Sequence, residues 1–181
     1  MKSGLLSPQG NFSADTWLKI YENELTVAAT SVTISGLDGN TDVQYRLQCR
    51  VVGNADGQGL GIRPNNDSGT NYGYQAVNGN NITVEAGRNT TRTSLLTNYY
   101  GLALNSVTFF DVLIYAKSGY LRTAIAKIAN SISTTTVTEI TLYGLVWNNT
   151  ADNITNLVTV SNLSNGLGIG TFIELFKPVP K

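Results

Sequence analysis

The sequence predicts an all-β chain that folds as a single antiparallel β-sandwich or jelly roll. Three observations lead to this prediction. Apolar and polar residues alternate from about residue 16 to residue 177, clusters of Asn, Asp and Gly interrupt the alternation, and no long amphipathic helix separates the alternating runs. Because a parallel sheet needs crossover helices between its strands, the pattern favours a sandwich of antiparallel strands.

The clearest strand lies at residues 43–51. Apolar residues occupy every second position of this run: Val43, Tyr45, Leu47, Cys49 and Val51. The positions between them are polar: Gln44, Arg46, Gln48 and Arg50. Side chains alternate between the two sides of a strand, so one side is expected to face the core and the other water. Cys49, the single cysteine of the chain, is then a small buried hydrophobe.

Similar alternation predicts further strands along the rest of the chain, at residues 60–63, 72–77, 82–86, 107–116, 137–147, 154–160 and 171–177. Turn-forming clusters separate them at residues 38–40, 54–57, 65–69 and 78–81. Residues 120–132 fit helical spacing about as well as strand alternation, and the surrounding pattern favours a strand. The predicted organisation is an N-terminal arm at residues 1–15, one domain at 16–177 and an extended tail at 178–181, where two prolines lack an amide hydrogen.

Composition narrows the range of partners. The chain carries 12 basic and 12 acidic residues, and charged residues make up only 13% of it. Neither sign clusters, so the electrostatic footprint of a nucleic-acid-binding protein is missing and nucleic acid is not an expected partner. No run approaches the ~18 apolar residues of a membrane span. The apolar run within the first ten residues is too short for a signal peptide. The near-zero net charge favours association between copies.

Catalytic chemistry has few candidate residues in this sequence. The chain contains no histidine, which removes the commonest general base and the Ser-His and Cys-His nucleophile pairs. Asp111 interrupts the apolar run at residues 107–116 and could act with a second acid in glycoside hydrolysis. We favour instead a position at a sheet edge or a hydrogen bond to a nearby backbone amide, and we expect the protein not to be an enzyme.

A calcium loop is only partly matched. Asp38, Asn40 and Asp42 have the spacing of its first three ligands. Val43 stands at the sixth position, which requires Gly, and Cys49 stands at the twelfth, which requires a bidentate Glu. A tight turn whose side chains bond their own backbone is the favoured interpretation, and no metal or other cofactor is expected.

The aromatic residues offer one candidate ligand site. Four tyrosines could provide flat faces for stacking on sugar rings: Tyr72, Tyr74, Tyr99 and Tyr100. The favoured alternative is that Tyr72 and Tyr74, two positions apart, share one strand face and pack there with their hydroxyl groups in water. Trp17 and Trp147 are assigned to the core or its rim.

Two sets of motifs resemble the virion structural proteins of tailed bacteriophages. A Trp-Asn-x-Thr turn, an Ile-Thr-x-Leu strand and a final strand that opens with Gly stand at residues 147–150, 154–157 and 168–176. Upstream, the runs VTISGLDG, YRL and RPNN stand at residues 32–39, 45–47 and 63–66. The motifs consist of turn residues and core aromatics, so they concern the fold more than the role.

The resemblance implies a jelly-roll-like sandwich with extended terminal arms, and a role in capsid decoration, head fibres or tail adhesins. We expect a protein of the virion, made in the host cytoplasm, that decorates or cements the capsid by non-covalent binding. Its partners would be the major capsid protein or other virion proteins, and the protein would form a homo-oligomer such as a trimer. The alternative is a viral attachment role, as a receptor- or carbohydrate-binding module of a head or tail fibre that binds a host surface glycan.

Overall fold

A computed structural model describes residues 17–96, 101–132 and 135–180. Within these residues the chain forms twelve strands and one short helix: β1 Trp17–Glu24, β2 Ser31–Ser35, α1 Gly39–Asp42, β3 Gln44–Val52, β4 Leu60–Pro64, β5 Tyr72–Asn80, β6 Thr83–Arg92, β7 Leu95–Leu96, β8 Val107–Tyr115, β9 Arg122–Ser131, β10 Val137–Trp147, β11 Asn156–Ser161 and β12 Phe172–Pro178. None of the helical structure in these ranges is long and apolar enough to span a membrane.

The strands form two antiparallel sheets. The large sheet has eight strands in the order β1-β12-β3-β8-β9-β10-β5-β6, and the small sheet has four in the order β2-β11-β4-β7. Apolar side chains from both sheets are buried together in one cluster. The predicted all-β sandwich is therefore confirmed, with the core between the two sheets.

The topology is that of a jelly roll with one sheet extended. The eight strands of the roll are β1-β12-β3-β8, from the large sheet, and β2-β11-β4-β7, which form the small sheet. Beyond β8, the strands β9, β10, β5 and β6 extend the large sheet. The result is a wide sheet packed on a narrow one.

Strand β3 confirms the alternation predicted for it, except at its start. Tyr45, Leu47, Cys49 and Val51 are all buried. Val43 does not belong to this row, because it ends helix α1 with φ 65° and its amide donates to the Gly39 carbonyl. A β-branched residue adopts this left-handed backbone only under strain.

Three further regions were predicted from the sequence: residues 120–132, the turn near residue 40 and the two ends of the domain. Residues 120–132 form a strand, as favoured, with β9 beginning at Arg122. The turn expected near residue 40 is a single helical turn. The predicted arm at residues 1–15 lies outside the described residues, and β12 runs one residue past the predicted domain end, because Pro178 is in register with Trp17.

Candidate functional site

The large sheet has one side turned away from the small sheet, which we call the outer face. Seven large apolar side chains on this face are between 38% and 79% exposed. They come from five neighbouring strands and are Val77, Val84, Phe109, Leu113, Ile125, Ile140 and Leu142. The outward positions of small-sheet strand β2 are polar by contrast: Ser31, Thr33 and Ser35. The outer face of the large sheet is thus more apolar than the outward side of β2.

Strand register arranges these side chains in rows across the sheet. One row reads Phe109, Ala129, Ile140, Gly79 and Val84, each residue being the register partner of the next. Large and small side chains alternate along it. A second apolar row contains Leu113, Ile125 and Gly144, and the row of Lys127 separates it from the first.

Two glycines form depressions in the outer face. A Cβ atom built on Gly144 would lie no nearer than 4.0 Å to another atom, and one built on Gly79 no nearer than 3.8 Å. Neither residue has the positive φ that favours glycine. Glycine weakens a strand interior and often marks a place where another backbone or ligand approaches closely.

A groove with charged walls lies beside the apolar rows. Its volume is about 330 Å³, and its lining comprises Trp17, Arg46, Asp111, Leu113, Ile125 and Lys127. Nε of Arg46 lies 2.7 Å from Oδ1 of Asp111, and Nη2 lies 2.8 Å from Oδ2. This bidentate geometry fixes both side chains.

The favoured sequence interpretation of Asp111 was wrong. The residue lies on a central strand of the large sheet, not at an edge, and its partner is a side chain rather than a backbone amide. Because Arg46 occupies both carboxylate oxygens, Asp111 is held as an anchor of the outer face. The partner residues lie 65 positions apart in the sequence, so no local motif could have revealed the pair.

Of the four candidate tyrosines, the two that the structure describes, Tyr72 and Tyr74, pack against other aromatic rings. Tyr72 is only 1% exposed, and its ring lies 6.3 Å from the Trp147 ring with 14° between the planes. Tyr74 is half-buried and makes an edge contact with Tyr143. Both rings therefore pack, as the alternative expected, but its expectation of hydroxyl groups in water is wrong for Tyr72, whose buried hydroxyl donates to the Asp67 carbonyl at 2.8 Å. Tyr99 and Tyr100 lie outside the described residues.

The two tryptophans occupy different places. Trp147 is buried in the core, which agrees with its assignment to the core or its rim. Its Nε1 donates to Oδ2 of Asp67 at 2.8 Å. Trp17 lines the groove on the outer face and lies partly exposed at the first position of β1. An indole at the wall of a groove can contact a ligand through its ring.

The three calcium candidates serve the loop around helix α1. Asp38 caps the helix by accepting from the backbone amides of Asn40 and Thr41. Hydrogen bonds from Thr41 and Asn153 lower the pKa of the Asp38 carboxyl. Asp42 accepts from Tyr45 and Lys177, and Oδ1 of Asn40 accepts from the Ser118 amide and hydroxyl groups. The arrangement is the capped turn that the sequence favoured, and the described ranges contain no cluster of three acidic, Cys or His side chains.

Comparisons with known proteins add little to this geometry. No family model and no curated protein matches the chain. Two solved structures match weakly. A mutant alginate lyase in complex with an alginate tetrasaccharide is 13% identical, with 92% of this chain and 98% of that chain covered and a TM-score of 0.28. A protein assigned as a pore-forming toxin from Bacteroides vulgatus is 9% identical, with 86% and 59% covered and a TM-score of 0.12. At these TM-scores neither likeness carries an argument about function.

Proposed function

We propose that this chain is a structural protein of a phage virion that decorates or cements the capsid by non-covalent binding, and that it is not an enzyme. The apolar outer face carries the proposal. Monomeric proteins rarely expose a contiguous apolar patch of more than a few hundred Å², and larger patches mark protein interaction sites. The phage-like turn and strand motifs support the same role.

The mechanism rests on binding energy alone. Each exposed apolar side chain that leaves water on docking contributes roughly 25 cal/mol per Å². A ligand that binds only the assembled shell shifts the equilibrium toward assembly by mass action. Many copies on one particle add their effects, so a modest contact per copy raises the stability of the whole shell.

The structure suggests a matched pair of variants for a test. Ile140, on the outer face, is 63% exposed, and Ile169, in the turn before β12, is 65% exposed. Ile140→Lys should abolish binding to purified expanded shells and the rise in shell melting temperature, whereas Ile169→Lys should keep both. Wild-type protein that neither binds shells nor raises their melting temperature would remove the proposal. Quantitative mass spectrometry of particles should give a copy number comparable to that of the coat protein.

A receptor- or carbohydrate-binding module is the second candidate, and the groove beside Trp17 supports it. The groove combines the Trp17 indole with the Lys127 ammonium beside the neutral Arg46–Asp111 ion pair, and the remaining positive charge suits a sugar bearing an acidic group. Trp17→Ala should then reduce cell binding and signals on a glycan array. An array without hits for the wild-type protein contradicts this role.

A further inference from the structure

We infer that the outer face binds a second copy of this chain, and that the two large sheets stack face to face. The inference rests on the proposed function for its biological setting. Copies bound to neighbouring capsomers would bind each other through this face. The contact that stabilises the shell would then lie between two copies of the decorating protein.

The size of the apolar patch suits a partner of this kind. The seven large side chains expose on the order of 600 Å² together, and stable interfaces bury about 800 Å² on each partner. The flat shape also suits a sheet, because two sheets pack face to face at about 10 Å with an angle of about −30°. An outer face that pairs with itself would create an interface resembling the core of a sandwich.

The order of large and small residues makes two rows of the face self-complementary, the row of Ile140 and the row of Ile125. The two copies would be related by a two-fold axis that lies above the outer face, parallel to the strands and centred between β9 and β10. It stacks β9 of one copy on β10 of the other, and β8 on β5. Because the rows keep their register, Ile140 then lies over Ala129 of the second copy.

Two further pairs follow from the same operation. Phe109 lies over Gly79, and Ile125 lies over Gly144. In every one of these pairs a large apolar side chain meets a small residue. Alternation of large and small residues across facing positions is what lets two layers interdigitate. The backbone conformation does not require glycine at positions 79 and 144, and the need to accommodate a large side chain of the second copy explains both residues.

Electrostatics permits the contact. The chain has formal net charge +0, so two copies do not repel each other at long range. Asp111 is neutralised by Arg46 within its own face. Lys127 is the register partner of Asp111, and under this axis its aliphatic stem covers Leu142 of the second copy.

The test is the oligomeric state of the purified full chain, measured by light scattering and sedimentation over a range of concentrations. The wild-type protein should dimerise. Ile140→Lys should weaken the dimer by about 100-fold or more, because it places a charge in the contact. Ile169→Lys should leave the dimer unchanged.

Gly144→Val is the more discriminating variant. A Cβ atom at this position has room in the monomer, and valine suits a strand better than glycine, so the melting temperature of the fold should hold or rise. It fills the depression expected to receive Ile125, so the dimer should weaken about tenfold or more. A dimer that tolerates both Gly144→Val and Ile140→Lys overturns the inference.

The outcomes separate this inference from the proposed function. A wild-type monomer whose shell binding is lost in Ile140→Lys would mean that the face contacts the coat protein, so the inference fails and the function stands. A dimer that dissociates in Ile140→Lys but never binds shells would keep the inference and remove the function.

Discussion

The guanidinium carbon of Arg122 lies 5.1 Å from the centroid of the Trp147 ring, and Tyr72 stacks on the same indole. Arg122 is 2% exposed, and its nitrogens donate to the backbone carbonyls of Asn149 and Asp152 in the turn that follows β10. Burial lowers the pKa of Arg122, which still keeps its charge. The arginine thus ties this turn to the aromatic end of the core.

Replacement of Arg122 by lysine should lower the free energy of unfolding by about 3 kcal/mol. A compact ammonium cannot lie flat on the indole or match the planar, spread donors of the guanidinium, so the buried carbonyls lose part of their hydrogen bonding. Chemical denaturation of the variant measures the loss. The exposed Arg88→Lys is the control, and an equal effect of the two substitutions would contradict a structural role for Arg122.

The carboxyl group of Asp67 should make stability depend on pH in acid. Desolvation opposes ionisation of Asp67, but hydrogen bonds from Trp147, Asn71 and the Gly69 amide outweigh it and lower its pKa. The native state therefore binds fewer protons than the unfolded state, so this stabilisation is present above about pH 4 and is lost as the pH falls through the native pKa. Asp67→Asn should flatten the acid limb of stability measured from pH 2 to 7. Parallel curves for the two proteins would refute this.

Strain at Val43 should make its truncation harmless. The residue is half-buried with φ 65°, a backbone that glycine adopts without strain. Val43→Gly should therefore keep or raise the free energy of unfolding, by up to about 1 kcal/mol, although it removes an apolar side chain. Val52→Gly, at a half-buried position of β3, should lower it. Equal losses in the two variants would show that Val43 is unstrained.

The thiol of Cys49 should react only when the protein unfolds. The side chain is 1% exposed, and burial raises its pKa well above the ordinary value, so both access and thiolate are missing in the native state. Labelling by a maleimide should proceed at the rate of global opening and accelerate in denaturant. A cysteine placed at exposed Thr33 should label at once and serves as the control. Fast labelling of native Cys49 would contradict the burial.

Sequence patterns predicted nine of the twelve described strands and missed β1, β2 and β7. Alternation shows which residues share a side of a strand, so Tyr45 and Leu47 were assigned together correctly. It does not show which side is covered when both are apolar. In β10 the core side carries Glu139 and Thr141 while the outer face carries Ile140 and Leu142, so polarity alone would choose the wrong side.

Contacts between distant strands were beyond reach for a different reason. The pairing of Arg46 with Asp111 depends on the register of β3 against β8, and the groove beside Trp17 depends on β1 lying two strands away from β3. Such neighbours follow from topology, which local residue patterns leave open. The Arg122 contacts could not be predicted, because an arginine in an alternating run is typical of a solvent-facing position.

The places of β11 and β12 determine when this protein can fold. β11 lies between β2 and β4, and β12 lies between β1 and β3, so the last two strands to be made complete both sheets. Until the ribosome has synthesised Pro178 and the tunnel has released it, the earlier strands keep unpaired edges. Folding of this domain must therefore wait until β12 has left the ribosomal tunnel, and nascent chains that stall before β12 should be prone to aggregation and to degradation.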